Sequence, residues 1–350
     1  MSRSMSRATT RTTSTSSTRT MLRSRDSLRL RATRIVLAPS GRRRSDPRHT
    51  RSRPRVAQTM TVSFALPSMV TSASTRTRCR RSNTSQRSSP GTVDFVFHVG
   101  DISYADNAGI PTVSSATEFT GFFYEETYND FMTRMQPLAA TTPYMVLPGN
   151  HESECHSAAC MVSSEKKKQL SNYRAYNARF KMPSAESGGA ANMWYSFEHG
   201  PVHFTSISSE TDFPNAPNNS HIPFNKIPYG GFGDQLSWLE RDLQRADANR
   251  ANVPWVVVMM HRAIYTRTMC DANGVPTGEA APVQKAFEEL FIKYNVDVVV
   301  SGHVHLYSRH FPVRRNEAVL DGVSPDFRTY KNPKAPVYLI SGRSRQLGGP

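Results

Sequence analysis

The stretch Val296-Asp-Val-Val-Val-Ser-Gly-His-Val-His305 decides the fold of this chain, because it places a short apolar run directly before a glycine and two histidines. Such a run is typical of a buried strand, and Gly302 allows the backbone to turn sharply where the strand ends. We therefore expect His303 and His305 at the carboxyl end of the strand, where open α/β sheets place their ligand sites. Imidazole is the commonest metal-ligating side chain, but His-x-His alone fits a surface or structural role equally well.

Three other segments repeat this design of an apolar strand followed by oxygen or nitrogen ligands. They are Phe95-Val-Phe-His-Val-Gly-Asp-Ile-Ser-Tyr104, Tyr144-Met-Val-Leu-Pro-Gly-Asn-His-Glu152 and Trp255-Val-Val-Val-Met-Met-His261. The carboxyl ends of neighbouring parallel strands meet at one edge of a sheet. Four strands that deliver Asp, Tyr, Asn and His side chains to one edge predict a dinuclear metal centre.

Residues 1–90 differ in composition from the rest of the chain. They contain 21 arginines, no lysine and only two acidic residues, Asp26 and Asp46, so their formal net charge is +19, whereas the whole chain carries +16. Residues 91–350 are therefore slightly acidic, at −3. The segment is rich in Ser, Thr and Arg and shows no regular periodicity before about Val62. Because it cannot bury enough apolar surface to offset its chain entropy, it is predicted to be disordered.

An arginine-rich arm of this kind would bind nucleic acid or an anionic membrane through its charge. Basic arms usually mix lysine with arginine, however, so we favour a mistranslated or wrongly assembled coding region. The last residues, 343–350, do not continue the strand expected at Val337–Gly342, and the same kind of error explains them. We accordingly divide the chain into segment 1–90, a catalytic domain at 91–342 and a tail at 343–350.

Signals for location are few. No secretory signal is visible, since Ile35–Pro39 is too short for its apolar core, and no segment approaches the ~20 apolar residues of a membrane span. Cys155 and Cys160 would bridge in an oxidising compartment or stay as two reduced thiols. Asn218-Asn219-Ser220 is a glycosylation sequon, which matters only if the chain is secreted.

Strands and helices alternate from Val93 onward, which predicts a layered α/β or α+β fold with helices on the outside. The predicted strands are Asp94–Val99, Tyr144–Leu147, Trp194–Phe197, Val202–Ser208 and Val253–Met260, with a hairpin turn at His199-Gly200-Pro201. The predicted helices include Tyr128 to Met135, Glu165–Phe180, Gln235–Arg245 with Asp234 as its cap, and one that starts at Pro282.

The motifs Gly100-Asp-Ile-Ser-Tyr104, Gly149-Asn-His-Glu152, His261 and Gly302-His-Val-His305 together resemble the metallophosphoesterases, and more narrowly the purple acid phosphatases. Three further stretches agree, Trp194-Tyr-Ser-Phe-Glu-His-Gly-Pro-Val-His-Phe204, Gln235-Leu-Ser-Trp-Leu-Glu-Arg-Asp-Leu243 and His261-Arg-Ala-Ile-Tyr265. The resemblance covers about residues 91–342. It implies a four-layer α/β/β/α sandwich, hydrolysis of phosphate monoesters, and a secreted or vacuolar location.

The resemblance also implies a role for each matching residue. Asp101 would bridge two metal ions, with Tyr104 and His305 on a ferric ion. Hard phenolate and carboxylate oxygens suit a trivalent ion, whereas imidazoles with an amide oxygen suit a divalent one, here Zn, Fe or Mn. The expected ligands of the divalent ion are Asn150, His261 and His303. His151 would contact the phosphate and help the leaving group depart.

Other residues have simpler interpretations. His98 and His203 fall within predicted strands and are expected to be hydrogen-bonded core histidines. Arg262 is expected to cover the edge of the sheet. Taken singly, Tyr104 is equally compatible with a half-buried core tyrosine, and His151 with a solvated loop residue.

Two departures from the family pattern predict an impaired enzyme. No Gly-Asp-x-Gly motif, which supplies the family's aspartate to the ferric ion, precedes Asp94, and the one plausible position for it, Val62–Thr71, contains no acid. Ten residues after His261, where plant relatives carry a substrate-contacting histidine, this chain has Asp271. The alternatives to a phosphatase are a non-catalytic remnant that binds metal or phosphate, and a basic-armed protein that binds nucleic acid through residues 1–90.

Overall fold

The computed structural model describes residues 94–107, 124–153, 163–217, 230–327 and 329–342. All of them belong to the unit Arg34–Pro350. Residues 1–90 and 343–350, Cys155, Cys160 and the sequon at Asn218 lie outside the described residues.

Six helices and nine strands are formed by the described residues. The helices are α1 (Tyr124–Ala139), α2 (Ser164–Leu170), α3 (Arg174–Arg179), α4 (Ser184–Ser187), α5 (Gln235–Ala248) and α6 (Ala280–Lys293). The strands are β1 (Val96–His98), β2 (Tyr144–Val146), β3 (Tyr195–His199), β4 (Val202–Ser206), β5 (Trp255–Met260), β6 (Val298–Ser301), β7 (Tyr307–Arg314), β8 (Glu317–Ala318) and β9 (Val337–Ser341).

The larger sheet has seven strands in the order β3-β4-β5-β6-β9-β7-β8. Strands β4, β5, β6 and β9 run parallel and are buried along their whole length, as their nearly continuous apolar sequences predict. Met260 pairs with Ser301, so β5 and β6 end at the same level. His261 and the Gly302-His303 turn consequently leave the sheet side by side.

The smaller sheet consists of β1 and β2, which pair in parallel from Val96 with Tyr144 to His98 with Val146. Their common register brings the loop after β1 next to the loop after β2. The two sheets pack face to face, since the Phe95 ring stands edge-on to Phe204, with ring centroids 5.1 Å apart. Both pairs of strand ends therefore point to one region of the molecule.

Helices cover the outer faces of the two sheets. On the smaller sheet, the α1 residue Phe131 contacts His98 of β1, with ring centroids 6.3 Å apart. On the larger sheet, α5 packs on β4 and β5 and lies beside α6. The order helix, sheet, sheet, helix confirms the predicted four-layer α/β fold. None of the described helices combines the length and apolar character that a membrane span requires.

Element boundaries differ from the prediction in a few places. The single helix expected over Glu165–Phe180 is two helices, because Asn172 and Tyr173 adopt left-handed backbone conformations, with φ of 53° and 59°. A right-handed helix cannot continue through such residues, and Tyr173 is fully buried there, so packing of its ring accompanies the break.

Helix α6 begins at Ala280, two residues before the predicted start at Pro282. The cap is as predicted, with Asp234 accepting a hydrogen bond from the Ser237 N–H at 3.1 Å.

Candidate metal centre

His261 follows β5 directly, and its ring orientation is fixed by a backbone contact. Nδ1 lies 2.7 Å from the carbonyl oxygen of Val99 in the loop after β1, so it donates its hydrogen there. Nε2 faces two oxygen atoms, 3.1 Å from Asn150 Oδ1 and 3.3 Å from Asp101 Oδ1, and is the nitrogen that would bind a metal once its proton is displaced. A second partner that fixes the tautomer in this way is typical of metal-ligating histidines.

The side chain of His303 faces the same point from the adjoining strand. Its Nδ1 lies 2.9 Å from Asn150 Oδ1 and 3.2 Å from His261 Nε2. One ligand atom from each of Asp101, His261 and His303 lies within 4.8 Å of the other two. Since most of these converging atoms are acceptors that cannot donate to one another, the chemistry of this donor set fits a divalent cation.

The two imidazoles differ in their affinity for protons. Burial, together with nearby His261 and Arg262, lowers the pKa of His303 to about 3, so its ring is neutral at ordinary pH. Burial also lowers the pKa of His261, but the Asp101 carboxylate outweighs it and raises that pKa to about 9. A cation bound here would have to displace the proton of His261, so its affinity depends on pH.

Asp101 lies between this group and a second pair of side chains. Its Oδ1 faces His261, while its Oδ2 lies 3.2 Å from the Tyr104 hydroxyl, which in turn lies 2.8 Å from His305 Nε2. Asp101 and Tyr104 both have left-handed backbone conformations, with φ of 56° and 51°. Six of the residues singled out in the sequence thus lie in one continuous cluster: Asp101, Tyr104, Asn150, His261, His303 and His305. The identity of any bound metal stays a prediction.

Glu152 joins the two loops of the smaller sheet and was not singled out in the sequence. Its buried carboxylate accepts hydrogen bonds from the N–H groups of Asp101, Ile102 and Gly149, each at 2.8 Å. Burial and the nearby Asp101 carboxylate raise the pKa of Glu152 to about 7. In the sequence, only the position of Glu152 directly after Asn150 and His151 indicated that it joins the two loops.

His151 lies beside the cluster and has a carboxylate partner that the sequence did not reveal. Nδ1 of His151 lies 2.8 Å from Oδ2 of the fully buried Asp106, and its ring centroid lies 4.2 Å from that of Tyr104. Burial lowers the pKa of His151, but the Asp106 carboxylate raises it by more, so the net shift is upward. This arrangement fixes the ring and favours its protonated form.

Arg262 does not cover the sheet edge, as the sequence had led us to expect, because only 1% of its side chain is exposed. Its Nε and Nη2 each lie 2.9 Å from Glu210 Oε2, and its Nη1 pairs with Glu279. Nη1 is also 3.3 Å from His303 Nε2. The cluster therefore has a buried charged neighbourhood that no motif in the sequence indicated.

Three residues near the motifs lie elsewhere. His98 Nδ1 is 2.6 Å from the Tyr144 hydroxyl and His203 Nε2 is 3.0 Å from Asp242, so both are hydrogen-bonded core histidines, as predicted. Asp271 is exposed, and its Oδ1 accepts the N–H groups of Asn273 and Val275 at 2.8 and 2.9 Å. It therefore forms a turn, where plant relatives are expected to carry a histidine.

Comparison with known proteins shows which family the chain matches. Residues 80–307 match the family described as calcineurin-like phosphoesterase. Acid phosphatase A of Cryphonectria parasitica is 33% identical over 281 residues, which cover 73% of this chain and 52% of that protein. Acid phosphatase type 7 of Homo sapiens is 33% identical over 264 residues, covering 72% and 48%.

A plant relative and a solved structure give similar results. Purple acid phosphatase 21 of Arabidopsis thaliana is 31% identical over 243 residues, covering 69% of this chain and 42% of the plant protein. The structure of a purple acid phosphatase from yellow lupin seeds aligns with a TM-score of 0.47 and 20% identity, over 73% of this chain and 39% of the lupin chain. The chain spans about half the length of the curated relatives that it matches.

Proposed function

Because the chain belongs to the calcineurin-like phosphoesterase family, we propose that it hydrolyses phosphate monoesters at a dinuclear centre of one ferric and one divalent ion. Asn150, His261 and His303 would hold the divalent ion, Zn, Fe or Mn. Tyr104 and His305 would hold the ferric ion, and Asp101 would contribute to both sites. The acid phosphatases among the relatives support this choice of reaction.

One observation carries the proposal: the side chains of Asp101, Asn150, His261 and His303 meet at one point although they come from four separate loops. Asn150 Oδ1 contacts both His261 and His303, at 3.1 and 2.9 Å. Buried polar atoms normally have partners. Crowding several acceptors around one point is costly without a proton or a cation among them.

The chain's own residues bind and orient the substrate around this point. When bound, the ions supply Lewis acidity, which activates a water molecule and neutralises charge on the phosphate. His151 lies beside Asn150, and Asp106 holds its Nδ1, so the protonated imidazole would serve as the proton donor to the departing alkoxide oxygen. The bond from phosphorus to this oxygen breaks as water adds to phosphorus, which yields an alcohol and inorganic phosphate.

We further propose that residues 91–342 form the catalytic domain and that residues 1–90 and 343–350 are not native parts of it. By likeness to the acid phosphatases, the enzyme would act outside the cytosol, in a secreted or vacuolar setting. In that setting the sequon at Asn218 would be open to glycosylation, and Cys155 and Cys160 could form a disulfide.

A second candidate function is a non-catalytic remnant that binds metal or phosphate. The observation in its favour is the lack of any Gly-Asp-x-Gly motif before Asp94. Loss of one anionic ligand would weaken the ferric side and leave the divalent side with its full set.

The test is metal analysis of the purified full chain combined with hydrolysis of p-nitrophenyl phosphate at acidic pH. We expect bound metal together with release of p-nitrophenol that stops when a chelator removes the metal. Metal uptake without any hydrolysis would favour the remnant. A chain that takes up no metal at all would overturn both.

A further inference from the structure

We propose that Glu279, held in place by the buried Arg262–Glu210 ion pair, is a positioning residue that fixes the ring of His303 for metal binding. The inference rests on the proposed function, since it concerns a ligand of the divalent ion. It assigns a role to Arg262 and to two acidic residues, Glu210 and Glu279, that none of the sequence motifs contains.

The two ring nitrogens of His303 face different surroundings. Nδ1 points to the centre, 2.9 Å from Asn150 Oδ1 and 3.2 Å from His261 Nε2. Nε2 points away from it, 3.2 Å from Glu279 Oε2 and 3.3 Å from Nη1 of Arg262, which pairs with the same glutamate. If Nδ1 binds the cation, Nε2 carries the hydrogen, and the Glu279 carboxylate is placed to accept it. A carboxylate in this position fixes the tautomer and ring angle and makes the ligating nitrogen more basic.

Glu279 could not hold this position by itself. Its side chain is 42% exposed, and it directly precedes helix α6. A half-exposed glutamate has several accessible rotamers, and water competes for its oxygens. Its pairing with Nη1 of Arg262 restricts this freedom.

Arg262 is itself fixed from the other side. Its backbone N–H donates to Ser209 Oγ at 2.7 Å, and its Nε and Nη2 both donate to Glu210 Oε2. Glu210 is 1% exposed and the Arg262 side chain equally so. The planar guanidinium can serve two carboxylates at once, which the point charge of a lysine does not reproduce.

The net charge of Glu210, Arg262 and Glu279 also suits a neighbouring cationic centre. Two carboxylates and one guanidinium leave one net negative charge, and the more exposed carboxylate, Glu279, is the one beside His303. Glu210 follows β4, Arg262 follows β5 and His303 follows β6, so the group runs across three neighbouring strand ends. If Arg262 had a purely structural role and only tied the start of α6 to the sheet, substitutions in this group would not change the affinity for the metal.

The first experiment measures the Zn²⁺ affinity of the metal-stripped full chain by competition with a chromogenic chelator. For Glu279→Gln we expect the affinity to fall about 10- to 100-fold, the usual effect of removing such a partner. The matched control is Glu289→Gln, which removes a carboxylate on α6 that pairs with Arg315 instead. The control should bind Zn²⁺ like the parent.

The absorption spectrum of bound Co²⁺ gives a readout that a structural role would not change. Altered band positions or intensities in Glu279→Gln, with an unchanged thermal unfolding midpoint, would support positioning of the His303 ring. Spectra identical to those of the parent and of Glu289→Gln would contradict it.

A double-mutant cycle tests whether Arg262 acts through Glu279. Arg262→Lys keeps the positive charge but removes the planar guanidinium that donates to two carboxylates. It should weaken Zn²⁺ binding in the parent. In the Glu279→Gln background it should have no further effect. Additive losses would overturn the coupled arrangement.

If His303→Ala abolishes Zn²⁺ binding while Glu279→Gln binds within about twofold of the parent, the inference is wrong and the proposed centre stands. If His303→Ala binds as well as the parent, both are wrong.

Discussion

Asn150 Oδ1 lies 2.9 Å from Nδ1 of His303, across 153 residues of sequence. Asn150 follows β2 of the smaller sheet, and His303 follows β6 of the larger one. The contact therefore joins the two sheets at the edge where their strands end. A cation at this point would bind to both halves of the sandwich at once, which makes its ligands sensitive to substitution.

His303→Ala should abolish phosphatase activity and leave the fold largely intact, because a partly exposed residue of a turn contributes little to the core. The measurement is kcat with p-nitrophenyl phosphate, together with metal content and thermal unfolding. His310→Ala, on β7 and away from the cluster, serves as the control. Activity within about threefold of the parent, with metal retained, would refute the assignment of His303.

Tyr104→Phe should remove the colour of the iron-loaded protein. A phenolate bound to a ferric ion gives a charge-transfer band, and phenylalanine keeps the ring while removing the ligand oxygen. The measurement is the visible spectrum of parent and variant at equal iron content. A variant that stays coloured would mean that another residue holds the iron.

Asp106→Asn should lower kcat by about 10- to 100-fold with little change in KM, because His151 loses the carboxylate that orients its ring and stabilises its protonated form. The loss should be smaller for p-nitrophenyl phosphate, whose leaving group departs without a proton, than for an alkyl phosphate. The two substrates are compared in steady-state assays across pH. Equal losses for both would argue against proton donation by His151.

The missing aspartate leads to a prediction about metal stoichiometry. If Asp101 bridges the two proposed ions, Tyr104 and His305 would form an iron site one ligand short of the set that the family resemblance implies, so ferric ion should bind more weakly than the divalent ion. The chain should contain closer to one metal than two and be a poor phosphatase. Replacing residues 1–90 with a first strand that ends in Gly-Asp-x-Gly should restore the second metal and the phosphatase activity. Two metals and rapid turnover in the unmodified chain would show that another residue supplies the ligand.

Asp242 should stabilise the fold in a pH-dependent way. It is fully buried and accepts hydrogen bonds from Ser196, His203, Thr205 and Arg245 at 2.7 to 3.0 Å. Burial raises its pKa, but the bonds from His203 and the hydroxyls outweigh this and lower it. Because the folded-state pKa lies below the unfolded value, the stabilisation is present above about pH 4 and is lost as the pH falls.

Asp242→Asn should therefore lower the free energy of unfolding by about 3 kcal/mol near pH 7. The difference from the parent should shrink as the pH falls below about 4, since the parent then loses the same charge. Urea unfolding at several pH values measures this. Asp130→Asn, which removes an exposed partner of Arg134, is the control and should change stability by less than about 1 kcal/mol. A difference that does not depend on pH would exclude the charge of Asp242 as the cause.

The order of strands along the chain and the clustering of the polar side chains at the strand ends could be predicted from the sequence, because both depend on local patterns. Apolar runs predict buried parallel strands, and polar residues directly after such strands must meet at their carboxyl ends. Asp106, Glu210 and Glu279 could not be predicted in this way. They lie in loops whose course depends on packing between distant segments, and a single acidic residue in a loop has no pattern that distinguishes it from a solvated one. The break at Asn172 was missed for a similar reason, since the apolar spacing continues through it.

Two glycines limit how this centre can be redesigned. A Cβ atom at Gly100 would come within 2.5 Å of His261 Nδ1, and one at Gly149 within 2.4 Å of Asp101 Oδ1. Neither position can accept even a methyl group without moving a backbone or a ligand. A mutagenesis library aimed at a new metal preference should therefore vary the outer residues and leave these two positions fixed. Variants that do carry a side chain there would be found mainly among the inactive clones.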